Sequence, residues 1–328
     1  MAEESTVEES TVRDGTERAE GAEAAEGSRG SGRSRGLGSV ESVRAAGAVA
    51  PYDTAGGAWF TVRETWRTYR LIVGMWVRST MAYRTSFVLT AFGNFAATGL
   101  DFVTILLMFS HITVLGGFTL AEVAFLYGTT STSFGIADLV LGSMDRLGRR
   151  IRDGTLDTLL LRPVPVLAQV AADRFALRRL GRITQGLIVL GWAVAHADID
   201  WSPVTVLLLP VTVLSGAVIF CAVYVAGGAF QFWAGDASEV QNSVTYGGNT
   251  MLQYPPGIFA RDLVRGVTFV VPLAFVNWLP ALRILGEPDP LGLPGWVDFA
   301  SPLVAALCCA LAGLAWRAAL RTYRSTGS

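Results

Sequence analysis

Lysine is absent from all 328 residues, and every one of the 26 basic residues is arginine. A phosphate-gripping P-loop needs Gly-Lys-Ser/Thr, so the chain holds no standard P-loop. Schiff-base and pyridoxal chemistry need a lysine amine and are excluded on the same ground. Histidine is nearly missing: His111 and His196 stand far apart, which rules out a histidine-rich metal cluster. Cysteine is scarce too. Cys221, Cys308 and Cys309 all lie in apolar runs, and the last two are adjacent, so no disulfide framework is expected. Charge itself is thin, at 16% of residues against about 25% in a soluble domain.

What replaces charge is apolar surface. Hydrophobic residues make up 51% of the chain, and the mean hydropathy is +0.43. Six spans of about 20 residues need about 120 apolar positions, and the sequence supplies them. The expected fold is all-α: a polytopic membrane protein with six transmembrane helices and an N-terminal interfacial helix. The candidate spans run near 87–110, 120–141, 183–195, 204–230, 264–282 (interrupted by Pro272) and 302–320.

Two segments precede them. Residues 1–57 are Glu, Ala, Gly, Ser and Arg with almost no large apolar residue. Such a composition is expected to stay disordered, as a cytoplasmic tail. Residues 58–84 differ: Trp59, Val62, Trp66, Tyr69, Val73 and Trp76 fall on one helical stripe, flanked by Arg63, Arg67 and Arg70. Aromatic rings beside guanidinium groups suit an amphipathic helix lying against membrane lipids. The remainder, 85–325, is expected to be the six-helix domain, with a long cytoplasmic loop over 143–182.

Arginine also orients the spans. Nine arginines lie between Arg146 and Arg182, after the second span. Others precede the first span, follow the sixth, or stand between the fourth and fifth at Arg261 and Arg265. The alternate loops "HITVLGG" and "HADIDWS" contain none. The positive-inside rule then puts both termini in the cytoplasm of a multi-pass cell-membrane protein. These arginines sit beside apolar spans rather than on a soluble basic face, so no nucleic-acid partner is expected.

The long loop reads "SMDRLGRRIRDGTLDTLLLRPVPV". Gly154 can end a short helix, and Pro163 and Pro165 stop further helix. Leu156, Leu159 and Leu160 lie outside any span, and exposed leucines among dense arginine suit docking onto another protein. The pattern Ile-x-x-Gly-x-Leu-Asp-x-Leu-Leu-x-Arg-Pro is matched by Ile151, Gly154, Leu156, Asp157, Leu159, Leu160, Arg162 and Pro163. It resembles the cytoplasmic segment of type-2 ABC exporter permeases. Further on, "FQFW", "QYPPGIFA" and "VPLAFVNWLPA" resemble a later part of one branch of that family, through Phe232, Trp233, Gln253, Tyr254, Pro255, Pro272, Ala274, Phe275, Asn277 and Pro280.

The resemblance covers about residues 60–325. It implies a permease subunit that forms the path while a separate ABC ATPase subunit drives efflux by alternating access. It also implies pairing with a second permease copy or a paralogous permease, and makes the 143–182 loop the element that couples to the ATPase. The chain would then catalyse no covalent step and hold no cofactor or metal, with ATP and Mg on the partner. The missing lysine agrees independently, because an engine must come from another chain.

Polar residues inside the spans offer candidate path positions: Asp101, Thr130 and Asn277. An ionised Asp at mid-span costs about 2.5–3.5 kcal/mol on insertion scales. Asp101 therefore either lines a path or hydrogen-bonds to the run Thr129–Ser133 of the second span. Two other classes compete with the permease reading. An ion-gradient-driven secondary transporter would use Asp101 as its ion site, although no inverted repeat is evident. A membrane-embedded lipid-modifying enzyme would need a nucleophile beside a base, and none is seen.

Overall fold

The computed structural model describes residues 58–162, 164–173, 176–235 and 237–323, with side chains from residue 63 onward. The expected tail over 1–57 and Pro163 of the loop motif lie outside them. Among the described residues every regular element is helical, and one isolated bridge joins Leu115 to Phe118.

Helix α1, Ala58–Ala82, is followed by α2, Arg84–Phe109. The chain breaks helical geometry between them at Tyr83, at φ −115° and ψ 62°. The expected interfacial helix and first span are therefore separate rods. Helix α3, Leu120–Leu141, begins with a capping box: the Thr119 amide donates to Glu122 Oε2 at 2.7 Å. Helix α7, Leu180–His196, and α8, Pro203–Ala234, enclose α3 from two sides. Between α3 and α7 lie three short helices, α4 (Leu147–Arg152), α5 (Thr155–Leu160) and α6 (Val166–Ala172). Helix α12, Ser301–Thr322, lies along α8.

The close approach of α3 and α7 depends on glycine. A Cβ on Gly128 would stand 2.7 Å from the Leu190 backbone nitrogen, and one on Gly186 would stand 2.6 Å from Thr132 Oγ1. Small residues let membrane helices bring their backbones together, where dispersion replaces the hydrophobic force that lipid does not supply. The hydroxyl run on α3 then satisfies itself locally. Thr129, Thr132 and Ser133 donate to the carbonyls of Phe125, Gly128 and Thr129, one turn back.

Among the described residues, three helices are long and apolar enough to cross a membrane on their own: α2, α8 and α12. Helix α3 is more polar and lies at the centre of the bundle. Helix α7 has 17 residues, about 26 Å at 1.5 Å per residue. The largest revision concerns the fifth span. Residues 264–282 do not run as one rod. They form α10, Arg261–Phe269, and α11, Trp278–Leu285, which with the turn before it meets α10 at an 80° bend.

Both ends of this bent pair return to the same end of the bundle. On one side, a Cβ built on Gly116, in the α2–α3 connection, would come 3.7 Å from the Pro255 side chain. On the other, the Glu287 carboxyl is pushed above its usual range, first by burial and then by the charge of Glu122 in the first turn of α3. The pair is thus a re-entrant element, and Pro272 stands at its turn. The traverse between α8 and this element is made by a helix the hydropathy pattern did not reveal, α9, Ser238–Leu252. It starts at the arginine-rich end, where Gln231 of α8 donates to Gln241 at 2.6 Å. It finishes beside Thr130 in the upper half of α3. Gln241, Thr245 and Asn249 on its inner face are buried, which is why its average reads polar. Arg261 and Arg265 accordingly lie at the end opposite the nine loop arginines, contrary to the sequence expectation.

Candidate functional site

The arginine-rich loop is folded tightly against the bundle. A 3-10 turn, Gly142–Arg146, leads from α3 into α4. Gly154 then takes a left-handed conformation at φ +65°, which a residue with a Cβ adopts at a cost. This reversal lets α5 fold back beside α4. Leu156 is completely buried and Leu159 nearly so, among the same core as Leu147 and Met144. The expected exposed leucines are therefore inside, because α5 is too short to hold its place except by burying its apolar side. Ile151, Gly154, Asp157 and Leu160 are half-buried, while Arg162 is exposed. The exposed apolar residue is Leu161, at 80%, beside Thr155, Thr158 and Arg162 on the surface.

Polar ties fix this segment to three other elements. From α8, Gln231 accepts the Gly148 amide at its Oε1 and donates from Nε2 to the Met144 carbonyl at 3.3 Å. From α6, Gln169 donates to the carbonyls of Leu159 and Val164 at 3.1 and 2.9 Å. Ser143 in turn donates to the carbonyls of Val170 and Ala171. Beyond α12, the Tyr323 hydroxyl donates to Asp157 Oδ1 at 2.8 Å. Burial, and then the hydrogen bond and charge of Asp157, push the Tyr323 hydroxyl up to about 12. Tyr323 also stands edge-on to Phe232 of α8, with ring centroids 5.7 Å apart.

A charged hub sits just above. Arg179, in the turn before α7, pairs with Asp138 of α3, Nε to Oδ2 at 3.2 Å. It also donates to the Asp138 and Gly142 carbonyls at 2.8 and 3.2 Å. Tyr224 of α8 donates to the other Asp138 oxygen at 3.3 Å. A buried pair of this kind is strongly interdependent, because removing one partner strands the other charge. Nearby Asp145 is held above its usual range, chiefly by burial, against the opposing pull of Arg146 and Arg179. Arg150 pairs with Asp173 across α4 and α6.

The three candidate path residues do not form one site. Thr130 and Asn277 meet: Asn277 Nδ2 donates to Thr130 Oγ1 at 2.6 Å and to the carbonyls of Leu126 and Leu252 at 3.0 Å. Thr129 donates to Asn277 Oδ1 at 2.8 Å. Both residues are fully buried. Asn277 thus pins the deepest point of the re-entrant element to α3 and to the end of α9. Asp101 stands apart, exposed on α2. The hydroxyl run that was one of its two alternatives is taken up by α3 carbonyls, Asn277, Leu252 and Gln253.

Sequence reasoning missed Gln231, Gln169, Tyr323 and Leu161 as members of the loop site. Tyr323 and Asp157 are 166 positions apart, and no local pattern links them. Leu161 was within reach: in "LDTLLLRP" three consecutive leucines cannot all face inward on one helical turn.

A model of the ABC-2 family transporter proteins matches residues 95–327. No curated protein and no solved structure matches the chain.

Proposed function

The chain belongs to the ABC-2 family of transporter proteins, and on that premise we propose that it is the permease subunit of an ATP-driven exporter. It is a membrane transport subunit of an ABC transporter. In this reading a separate ATPase subunit docks on the 143–182 segment, and two permeases, identical or paralogous, enclose the path. The chain itself binds no nucleotide, and ATP and Mg belong to the ATPase. Both termini are cytoplasmic, since nine arginines gather at the end that carries the loop.

The observation that carries the reading is the build of that loop. A small exposed edge of Thr155, Thr158, Leu161 and Arg162 rests on a base tied to α6, α8 and the end of α12. A push on such an edge moves several helices at once, as coupling requires. Asp157 has the role of a positioning residue, because its bond to Tyr323 links the loop to the last helix. Gly154 and Leu156 hold the edge in place from below. Asp101 is the path residue of this reading, supported by its exposure at mid-span, whereas Thr130 and Asn277 act by holding the helices that wall the path.

The test is purification from the native cell in gentle detergent, with mass spectrometry of the retained chains. A stoichiometric partner bearing a P-loop is expected with the wild type. Leu161→Asp should lose that partner, or its ATPase stimulation, while the permease itself inserts and purifies normally. Leu156→Asp should instead fail to fold. A wild-type preparation without an ATPase, confirmed by crosslinking in intact membranes, would overturn the proposal.

A further inference from the structure

At the break between α1 and α2 an open groove of about 350 Å³ is left between the two helices and the turn Leu177–Arg179. Its walls carry Trp76, Tyr83, Ser86 and Phe87 from the helices, and Arg178 from the turn. Four of these bear hydrogen-bond donors: the Trp76 indole, the Tyr83 and Ser86 hydroxyls, and the Arg178 guanidinium. Among the described residues none of these four groups has a hydrogen-bond or ion-pair partner, although Asn94 holds the Arg178 backbone carbonyl at 3.1 Å. No carboxylate lines the groove. A site offering donors and one fixed positive charge, with no acidic residue to compete, is complementary to an anion.

The surroundings say which kind of anion. The groove lies where the arginine-flanked helix α1 gives way to the membrane-crossing helix α2, the depth at which lipid headgroups sit. Directly along α2 from Ser86, the side chains of Val88, Leu89 and Phe92 are exposed at 60–69%. At 100° per residue they lie on the side of α2 away from Tyr83, Ser86 and Thr90, and mark this part of the helix as facing acyl chains. An anionic head bound at Arg178 would therefore sit at the edge of the acyl layer that surrounds α2, with its chains in that layer rather than in water.

We propose that the groove between α1, α2 and the Leu177–Arg179 turn is a binding site for the phosphate headgroup of an anionic phospholipid. Arg178 holds the phosphate charge, Ser86 and Tyr83 donate to its oxygens, and Trp76 donates from the rim. The bound lipid bridges α1 to the turn that carries Arg179, and so reaches the charged hub at Asp138.

The test is native mass spectrometry of the full chain, titrated with phosphatidylglycerol and separately with phosphatidylcholine. The wild type should retain one phosphatidylglycerol molecule more strongly than any phosphatidylcholine. Arg178→Gln should weaken that retention roughly fivefold, the effect of one charge near a membrane surface. Tyr83→Phe should weaken it less, and serves if the arginine variant is poorly folded. Arg67→Gln removes an exposed arginine of α1 outside the groove and should leave retention unchanged. Equal retention of the two lipids, an undiminished phosphatidylglycerol signal in both groove variants, or an equal loss in Arg67→Gln would overturn the proposal. The readout does not involve ATP, so it stands or falls separately from the exporter reading.

Discussion

Helix α2 is long and apolar, yet only Thr98 and Ile105 among its 26 residues are buried. Helix α3 carries five consecutive hydroxyl residues, yet buries fifteen of its 22 positions. In a water-soluble bundle the assignment would be reversed. Lipid removes the incentive to hide apolar side chains, since a leucine is as well solvated by acyl chains as by other leucines. What lipid cannot do is hydrogen-bond, so the groups driven inward are the polar ones. The centre of this protein is rich in polar residues that bond to one another, and its periphery in apolar residues that need no partner.

The largest expected effect comes from testing this contrast with the same substitution in both helices. Gly128→Ala on α3 drives a methyl group against the Leu190 backbone, which cannot rotate away. Overpacking of this kind costs about 1–3 kcal/mol or more, so the variant should show a clearly lowered thermal midpoint or aggregate in size-exclusion chromatography. Gly93→Ala on α2 meets nothing within 4 Å. It should be neutral or slightly stabilising, because alanine loses less backbone entropy than glycine. Equal behaviour of the two would contradict the tight α3–α7 seam.

Next in size is the polar core itself. Asn277→Leu removes the amide that holds Thr129, Thr130 and two carbonyls. Leaving buried groups unpaired costs about 1–3 kcal/mol, and a matching fall in the thermal midpoint is expected, with α10 and α11 becoming more open to hydrogen exchange. Thr104→Val on the exposed side of α2 removes a hydroxyl that bonds only to the Leu100 carbonyl of its own helix. Its effect should be within about 0.5 kcal/mol. A thermal midpoint for Asn277→Leu as high as that of Thr104→Val would mean that the re-entrant element is held by packing rather than by hydrogen bonds.

The smallest effect sharpens the account of the loop. The Asp145 carboxyl titrates above its usual range in the folded chain because it is buried. Its ionised form therefore destabilises the fold at neutral pH, and that penalty is released as pH falls through the raised value. Asp145→Asn should raise the thermal midpoint slightly at pH 7, and the gain should vanish in acid. A gain that persists at low pH would assign the effect to the amide's hydrogen bonds instead of the charge.

Much of this was visible in the residues. The stop at Gly154 and the arginine-dense loop follow from local chemistry and appear where expected, and the cap at Thr119 and Glu122 and the helix start at Ser202-Pro203, though not read beforehand, are equally local. The helix α1, expected at the interface, and the first span separate at Tyr83, inside the bounds read from their composition. Other features were invisible for one reason. Helix α9 and the bent pair α10–α11 can be told apart as traverse and re-entrant turn only through contacts between distant residues. Asn277 meets Thr130 across 147 positions, and Gln253 meets Ser131 across 122. Hydropathy ranked 264–282 above 238–252 because it measures affinity for lipid and is blind to a polar face turned toward a neighbour.

The sequence by itself determined the class of the protein and set one cytoplasmic-type, arginine-rich loop apart from the rest. A chain this apolar reads as an all-α membrane protein, and a Gly-Leu-Asp-Leu-Leu-Arg-Pro pattern singles out its arginine-rich loop. Those properties depend on composition and short-range spacing, which survive without any fold. Only the tertiary structure decided which leucine is left exposed, which polar helix fills the centre and which apolar segment turns back. Those choices belong to pairs of side chains far apart along the chain, and a hydrogen bond or a closed glycine contact exists only once both partners are in place.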